Sequence, residues 1–406
     1  MGDAFAPETS EQLQETVAWA VDAEVPLEVI GCGTKRGIGA PSATDHILDV
    51  SRLSDIQSYQ PEELILTAEP GTKLVEIEAA LVQSRQQMAF EPADLGPLMG
   101  YAAEQGTLGG VIGCNLSGPR RIQAGAVRDH FLGFSAVSGR GELFKSGGKV
   151  VKNVTGYDLC KLMCGSWGTL AVMTEICVKV LPMPDRTRTV LIFGCSLEQA
   201  GAAMTRALQS PYEVSGAAHL PAYVAAKSRV ELVSKATEGV TALRIEGTDV
   251  SVDYRCEMLL KELIEFGESE ELHTANSQSL WAELRDVLPF AGSEDTRAVW
   301  KVSVPPADGP RLAAGLADAT DGNLYLDWGG GLIWLAVDEG DDAYAQIVRE
   351  TIDLSVGHST LIRASEAVRS KVSVFPKPAW AALSQRIKEG FDPKSILNPG
   401  RLVEGV

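Results

Sequence analysis

Three glycine-rich tracts hold the residues of this sequence best suited to chemistry, and that chemistry belongs to exposed backbone. The first, "GCGTKRGIG", spans residues 31–39 and follows the short apolar run "PLEVI". Glycines at such a strand end let consecutive N–H groups wrap a diphosphate. A G-x-G-x-x-G fingerprint would need a glycine where Arg36 stands and a helix where Pro41 intervenes. A Walker-type loop fails too, because Gly148-Lys149 lacks its upstream glycine and is followed by Val150. Alone, the tract reads equally well as a phosphate loop or as an ordinary strand connection.

The second tract, "GTLGGVIGCNLSG", brings Gly106, Gly109, Gly110 and Gly113 together with Thr107, Asn115 and Ser117. Such residues suit the close approach of a ribityl-diphosphate chain and anion contact at a helix start. The third, "GSWG" at 165–168, opens a run whose even positions are Leu170, Val172, Ile176, Val178 and Val180, with Thr174 the polar exception and Pro182 the stop. Alternation of this kind marks a half-buried strand. A bare glycine hinge on that strand leaves room for something flat and bulky against backbone. Two phosphate-type loops and a hinged strand imply a large dinucleotide spread along one domain, the hinge and strand forming one wall of an FAD site.

Side chains able to move protons or hold metals are sparse. The histidines are His46, His130, His219, His273 and His358. His130, in "VRDHFLGF", reads as ordering the loop before a strand. Tyr157 and Asp158 sit where they could line a flavin edge, but Asp158 is equally placed to cap the following helix. Trp328 and Trp334 read as sheet packing, with a cover over the flavin as the alternative. The seven cysteines are odd in number, irregularly spaced and without a CxxC, as expected of free thiols in a reduced, cytoplasmic protein. Cys160 and Cys164 fit one helix face but lack further ligands nearby, and iron–sulfur spacing is absent, so no metal or cluster is expected. Asn-x-Ser/Thr sequons at 115–117 and 153–155 would matter only in a secreted chain.

These tracts need a scaffold. Across 406 residues, 45% apolar and 22% charged content is that of a soluble globular chain long enough for two domains. A net charge of -18 argues against nucleic acid as partner and serves solubility. The N-terminus lacks a secretion signal, and no apolar run reaches membrane-spanning length. Helices are expected at 9–21, with Thr9 or Ser10 as cap and Leu13, Val17 and Val21 on one stripe, and after Gly71, with Leu74, Ile77 and Leu81 on one side. Strands are expected at "PLEVI", "HILDV", "LILTA" and "FLGFSAVSGRGELF". From 185 to 370, strands such as "TRTVLIFG", "AVWKVSVP" and "LIWLAV" alternate with helices, which suggests a second domain on an antiparallel sheet. Residues 371–406 return to the first domain, 1–184, through the rigid turn "FDPKSILNPGR".

The succession "PLEVIGCGTKRG", "GTLGGVIGCNLSGPRR", "VRDHFLGF", "KNVTGYDLCKLMCGSWGTLAVMTEICVKVLP" and "FDPKSILNPGR" resembles the FAD-binding proteins of the vanillyl-alcohol-oxidase, or PCMH, type. Within them it is similar to the D-2-hydroxyacid dehydrogenase and glycolate oxidase branch. The likeness is strong over roughly residues 1–184, good in the C-terminal turn and loose between. "GGLIWLAV" and "STLIRAS" bring it nearest the smaller FAD-binding subunits of glycolate dehydrogenase complexes.

The resemblance implies an α+β fold: a two-subdomain FAD domain plus an antiparallel-sheet and helix cap. It implies that Gly31, Cys32, Gly33, Thr34 and Gly39 form the pyrophosphate loop, and that Gly106, Thr107, Gly109, Gly110, Asn115 and Ser117 form the second FAD loop. Gly168, Thr169, Val172 and Ile176 would run along the flavin and adenine. Relatives often carry a flavin-bonding histidine in the first loop. Here Cys32, Thr34 and Lys35 occupy that neighbourhood, so the FAD is expected to be non-covalent.

Catalytic relatives also carry a Gly-Glu-His-Gly-type segment late in the cap, which this sequence lacks. Oxidising a 2-hydroxy acid needs a base at the hydroxyl, a cation for the carboxylate and flavin to accept hydride. His358 is the candidate base, and Arg363 or Arg401 the candidate cation. The alternative is that Arg363 pairs with an acidic neighbour and His358 caps a turn. The implied function is an FAD subunit oxidising glycolate to glyoxylate beside a larger FAD-binding subunit and an iron–sulfur subunit, peripheral to a membrane through that complex. A self-sufficient D-2-hydroxyacid dehydrogenase and a flavin-bound assembly subunit are the competing readings.

Overall fold

The computed structural model describes residues 2–42, 44–148, 156–292, 294–352, 357–376 and 380–402. The second sequon and the first residues of the "KNVTGYDL" stretch fall outside them. The chain divides into two compact units, residues 1–117, 125–183 and 373–406, and residues 118–124 and 184–372.

In the first unit, α1 (Ser10–Ala23) starts where the Thr9 hydroxyl accepts from the Gln12 amide, and it buries Leu13, Val17 and Ala20. Ala20 takes the buried place expected of Val21, which is half-buried. A small parallel sheet joins β1 (Ala4–Phe5), β2 (Glu28–Ile30) and β3 (Ile47–Asp49), with β3 central. Its side chains and those of α1 share a core with Ile396 and Leu397 of the C-terminal turn.

A five-stranded sheet follows the order β4 (Ser58–Gln60), β5 (Ile65–Ala68), β8 (Ala171–Lys179), β6 (Phe131–Ser138) and β7 (Leu143–Gly147). All its pairings are antiparallel. The stretch "FLGFSAVSGRGELF" is thus a hairpin rather than one strand. Gly141, at φ +77°, makes the reversal that a side chain would strain. Central β8 buries Val172, Thr174, Ile176 and Val178, following the alternation in its sequence. The main core lies between this sheet and helices α2 (Leu74–Gln83) and α3 (Leu108–Cys114).

The C-terminal helix Ala381–Phe391 is fixed by a buried ion pair, Lys388 to Asp392 at 2.7 Å. Lys388 also donates to the Thr169 and Leu397 carbonyls, and Asp392 accepts from the amides of Ile396 and Leu397. Full pairing is what makes two buried charges tolerable.

The second unit is built on one eight-stranded antiparallel sheet in the order Ser269–Leu272, Arg186–Phe193, Val240–Gly247, Val214–Leu220, Asn323–Asp327, Leu332–Val337, Ala298–Ser303 and His358–Arg363. Residues 118–124, expected in the first domain, group with this unit instead. Arg120 forms a two-pronged pair with Glu246 at 2.9 and 2.8 Å, and the Trp328 indole donates to the Gly118 carbonyl. Burial alone would raise the Glu246 pKa, but Arg244 and Arg120 outweigh it and hold the carboxyl at about 2.

Candidate functional site

In the first unit the three glycine tracts meet at one open cavity, whose space, counted together with the part open to solvent, is about 790 Å³. The loop leaving β2 bends at Gly33, where φ is +73°. A Cβ on Gly31 would stand 2.7 Å from the Thr107 Oγ1, so the loop lies directly on the start of α3. Arg36 pairs with buried Glu28 through two bonds of 3.0 and 2.6 Å. Arg401 reaches the same carboxylate at 3.7 Å and donates to the Lys35 carbonyl at 2.9 Å.

The start of α3 is closed to anions. Its Leu108 and Gly109 amides donate to the Thr72 and Pro70 carbonyls, Val111 to the Thr107 carbonyl, and Gly110 to the Thr107 hydroxyl. Thr107 therefore acts as helix cap. The anion contact expected at this helix start has no amide left to make it. Farther along, a Cβ on Gly113 would meet no atom within 4 Å. A helix face left bare toward open space is a cradle for a large planar group.

The hinge supplies the opposite side. Trp167 and Gly168 both have positive φ, at +56° and +69°. Asn398 holds them, its amide donating to the Trp167 carbonyl and accepting from the Val29 amide, each at 2.8 Å.

Of the residues expected to bind cofactor, Gly31, Cys32, Gly33, Thr34, Thr107, Gly109, Gly110, Gly168 and Val172 line the cavity, as does Arg401. Six others do not. Gly39 packs on Arg401, and Gly106 offers its carbonyl to Leu74. Asn115 is the left-handed cap ending α3, and Ser117 accepts from the Val127 amide. Thr169 donates to the Ser166 carbonyl, and Ile176 lies in the core. Val29, Lys35, Trp167, Met173 and Asn398 also line the cavity. The Asn-Pro-Gly-Arg turn was the available signal for Asn398.

The candidate proton-transfer and carboxylate groups belong to different units, Arg401 to the first and His358 and Arg363 to the second. Arg363, in the second unit, spends its guanidinium on the Arg297 and Phe290 carbonyls and on Asp295. His358 is solvent-accessible at the start of its strand, yet crowding lowers its pKa, with Lys301 and Arg121 adding to the effect. Those two cations lie over the Trp328 ring, 5.2 and 4.4 Å from its centroid. Neither was legible as a partner of His358 in sequence.

His219 is buried against Thr241, and burial lowers its pKa to about 4. Asp158 caps the short helix Leu159–Met163, whereas Tyr157 is 89% exposed. Burial raises the Cys160 and Cys164 thiols to about 12, so both stay protonated. Among the described residues, no group of three His, Cys, Asp or Glu side chains could hold a metal.

Two glycine loops and a hinged strand around one cavity, on an α+β scaffold, are the arrangement of an FAD-binding oxidase fold. Residues 4–147 match the family described as FAD binding domain, and residues 370–402 match the FAD linked oxidases, C-terminal domain. The chain is 33% identical over 394 residues to the glycolate oxidase subunit GlcE of Escherichia coli (strain K12), covering 97% of each chain. It is 24% identical to the glycolate oxidase subunit GlcD of Bacillus subtilis (strain 168), over 99% of this chain and 89% of the other. It is 25% identical to a D-lactate dehydrogenase of Archaeoglobus fulgidus, over 98% and 90% respectively.

The chain belongs to this family of FAD-linked oxidoreductases, and its cofactor is FAD. Solved structures share the fold. 4-Ethylphenol oxidase from Gulosibacter chungangensis superposes with a TM-score of 0.72 at 15% identity, over 99% of this chain and 89% of that one. p-Cresol methylhydroxylase gives 0.70 at 16% identity, over 99% and 88%. No helix among the described residues is long and apolar enough to cross a membrane.

Proposed function

We propose that this chain is the E-type FAD-binding subunit of a glycolate oxidase complex. Glycolate, a small 2-hydroxy acid, would be oxidised to glyoxylate, and the electrons would pass to an iron–sulfur partner beside a larger FAD-binding subunit. The observation that carries the reading is the 33% identity to a glycolate oxidase subunit across 97% of both chains. The bound FAD supplies the two-electron acceptor. The chain's own part is to hold it: the 31–36 loop after β2, the bare face of α3 at Gly113 and the Trp167–Gly168 hinge fit a dinucleotide in the cavity.

Attachment is non-covalent in this reading. Burial raises the pKa of Cys32, which keeps the cavity-lining thiol protonated and a poor nucleophile. In the cap, His358 with its lowered pKa stays unprotonated near neutral pH and is able to accept a proton. Lys301 and Arg121 beside it provide positive charge for a carboxylate.

The purified chain should be yellow, and acid precipitation should release its flavin into the supernatant. Anaerobic glycolate should bleach it only when the larger flavoprotein and iron–sulfur subunits are added. Bleaching of the lone chain by glycolate or D-lactate would instead favour a self-sufficient dehydrogenase. A complex fully active with a flavin-free Gly110→Trp chain would favour an assembly role. A colourless chain that takes up no FAD would end all three readings.

A further inference from the structure

Resting on the reading that this cavity holds FAD, we propose that Lys35 supplies the charge that binds the pyrophosphate. The chain carries -18 overall, so a doubly negative diphosphate meets an unfavourable field unless a local cation offsets it. Three cations line the cavity: Lys35, Arg36 and Arg401. Arg36 is committed to Glu28, and Arg401 lies beside the same carboxylate.

Lys35 is different. It is only 8% exposed, and its ammonium makes one long hydrogen bond, 3.4 Å, to the neighbouring Thr34 hydroxyl. No carboxylate pairs with it among the described residues. A buried ammonium so thinly satisfied is costly unless a ligand completes it.

Its surroundings point to an anion. The ammonium stands 3.6 Å from where a Gly110 Cβ would be, at the junction of the first two glycine tracts. The amides of Cys32, Gly33, Thr34 and Lys35 itself donate to no acceptor among the described residues, unlike those of α3. A run of open amides beside one lysine is an anion-binding concavity. Because the helix start is already satisfied, the diphosphate is held by the first loop and its lysine. The sequence contrast is Lys35 against a second tract that looks like a phosphate loop but caps itself.

The test compares FAD with riboflavin, which lacks phosphate, on chain stripped of flavin and titrated by fluorescence. Lys35→Met should weaken FAD binding by about 10–100-fold, the range for a charge-assisted hydrogen bond, and leave riboflavin binding unchanged. Lys35→Arg should recover most of the loss. In the native chain, inorganic pyrophosphate should compete with FAD, and riboflavin should be indifferent to it. Equal loss of FAD and riboflavin in Lys35→Met, or no loss of either, overturns the proposal. So does failure of pyrophosphate to compete in the native chain, a measurement that stands even where the variants do not fold. A native chain that binds riboflavin but not FAD removes the lysine assignment alone, whereas one that binds neither removes the cavity assignment with it.

Discussion

The Asn398 side chain donates to the Trp167 carbonyl at 2.8 Å across 231 residues of sequence, and with its oxygen it accepts from the Val29 amide at 2.8 Å. One amide from the C-terminal turn thus ties the strand leading into the first glycine loop to the hinge of the third. A Cβ on Gly168 would stand 2.8 Å from that nitrogen, so the hinge glycine makes room for the tie. Asn398→Ala leaves a half-buried carbonyl and a half-buried N–H without this partner, which costs about 1 kcal/mol each. Asn398→Asp keeps the acceptor and loses the donor, and should fall between. Urea unfolding gives the stability, and fluorescence titration should show weaker FAD binding in the same order. A stable Asn398→Ala chain with native FAD affinity would remove the tie from the account of the site.

A second expectation concerns pH. His219 is buried beside Thr241, and burial lowers its pKa from 6.5 to about 4. Between those values the unfolded chain takes up a proton that the folded one refuses. Stability therefore rises with pH through this window and is lost as pH falls from about 6.5 toward 4. The full loss is roughly 3 kcal/mol, because each tenfold difference in proton affinity between folded and unfolded chain is worth about 1.4 kcal/mol. His358, also lowered, adds to the same limb, so the decisive measurement is the difference between native chain and His219→Gln. The variant should be less stable at pH 7 but lose about 2 kcal/mol less than the native chain between pH 7 and 5. Glu246, held near 2, acts lower, from about pH 4.5 downward. Parallel stability curves for native and variant chains would refute the assignment.

The readable features of this fold are those with local causes. The Thr9 cap and the Leu13–Val17 spacing are written within one helix, and the alternation around Val172 and Ile176 within one strand. The failure of the dinucleotide fingerprint at Arg36 is equally local. The features hidden from sequence depend on partners far away along the chain. Arg120 follows a glycine tract of the first domain, yet its two bonds to Glu246 place residues 118–124 with the second unit. Thr107, Asn115 and Ser117 have the chemistry of ligand contacts, but their hydrogen bonds close α3 and the turn after it. Small polar residues near glycines serve caps and ligands alike, and spacing does not separate the two uses. For Arg363 the sequence offers two uses, a free cation or a partner of an acidic neighbour, and Asp295 with two carbonyls supplies the second, though which carboxylate it would be is not legible there.

Two glycines of one helix should respond oppositely to substitution. Gly113 lies in α3 with helical backbone, and a Cβ there would touch nothing within 4 Å. Alanine at that position should stabilise the flavin-free chain by about 0.5–1 kcal/mol, because glycine surrenders more backbone freedom in a helix. A larger side chain projects into the cavity, so Gly113→Leu should fold and yet take up little FAD. Gly109, one turn earlier, faces Pro70, and a Cβ would stand 2.7 Å from the proline Cβ and 2.9 Å from its carbonyl oxygen. Backbone cannot yield there as a flexible side chain would, so Gly109→Ala should destabilise the chain by about 1–3 kcal/mol through overpacking. Thermal unfolding of both flavin-free variants, with FAD titration of Gly113→Leu, reads all three effects. Native FAD affinity in Gly113→Leu would mean that the bare face of α3 is not where the cofactor lies.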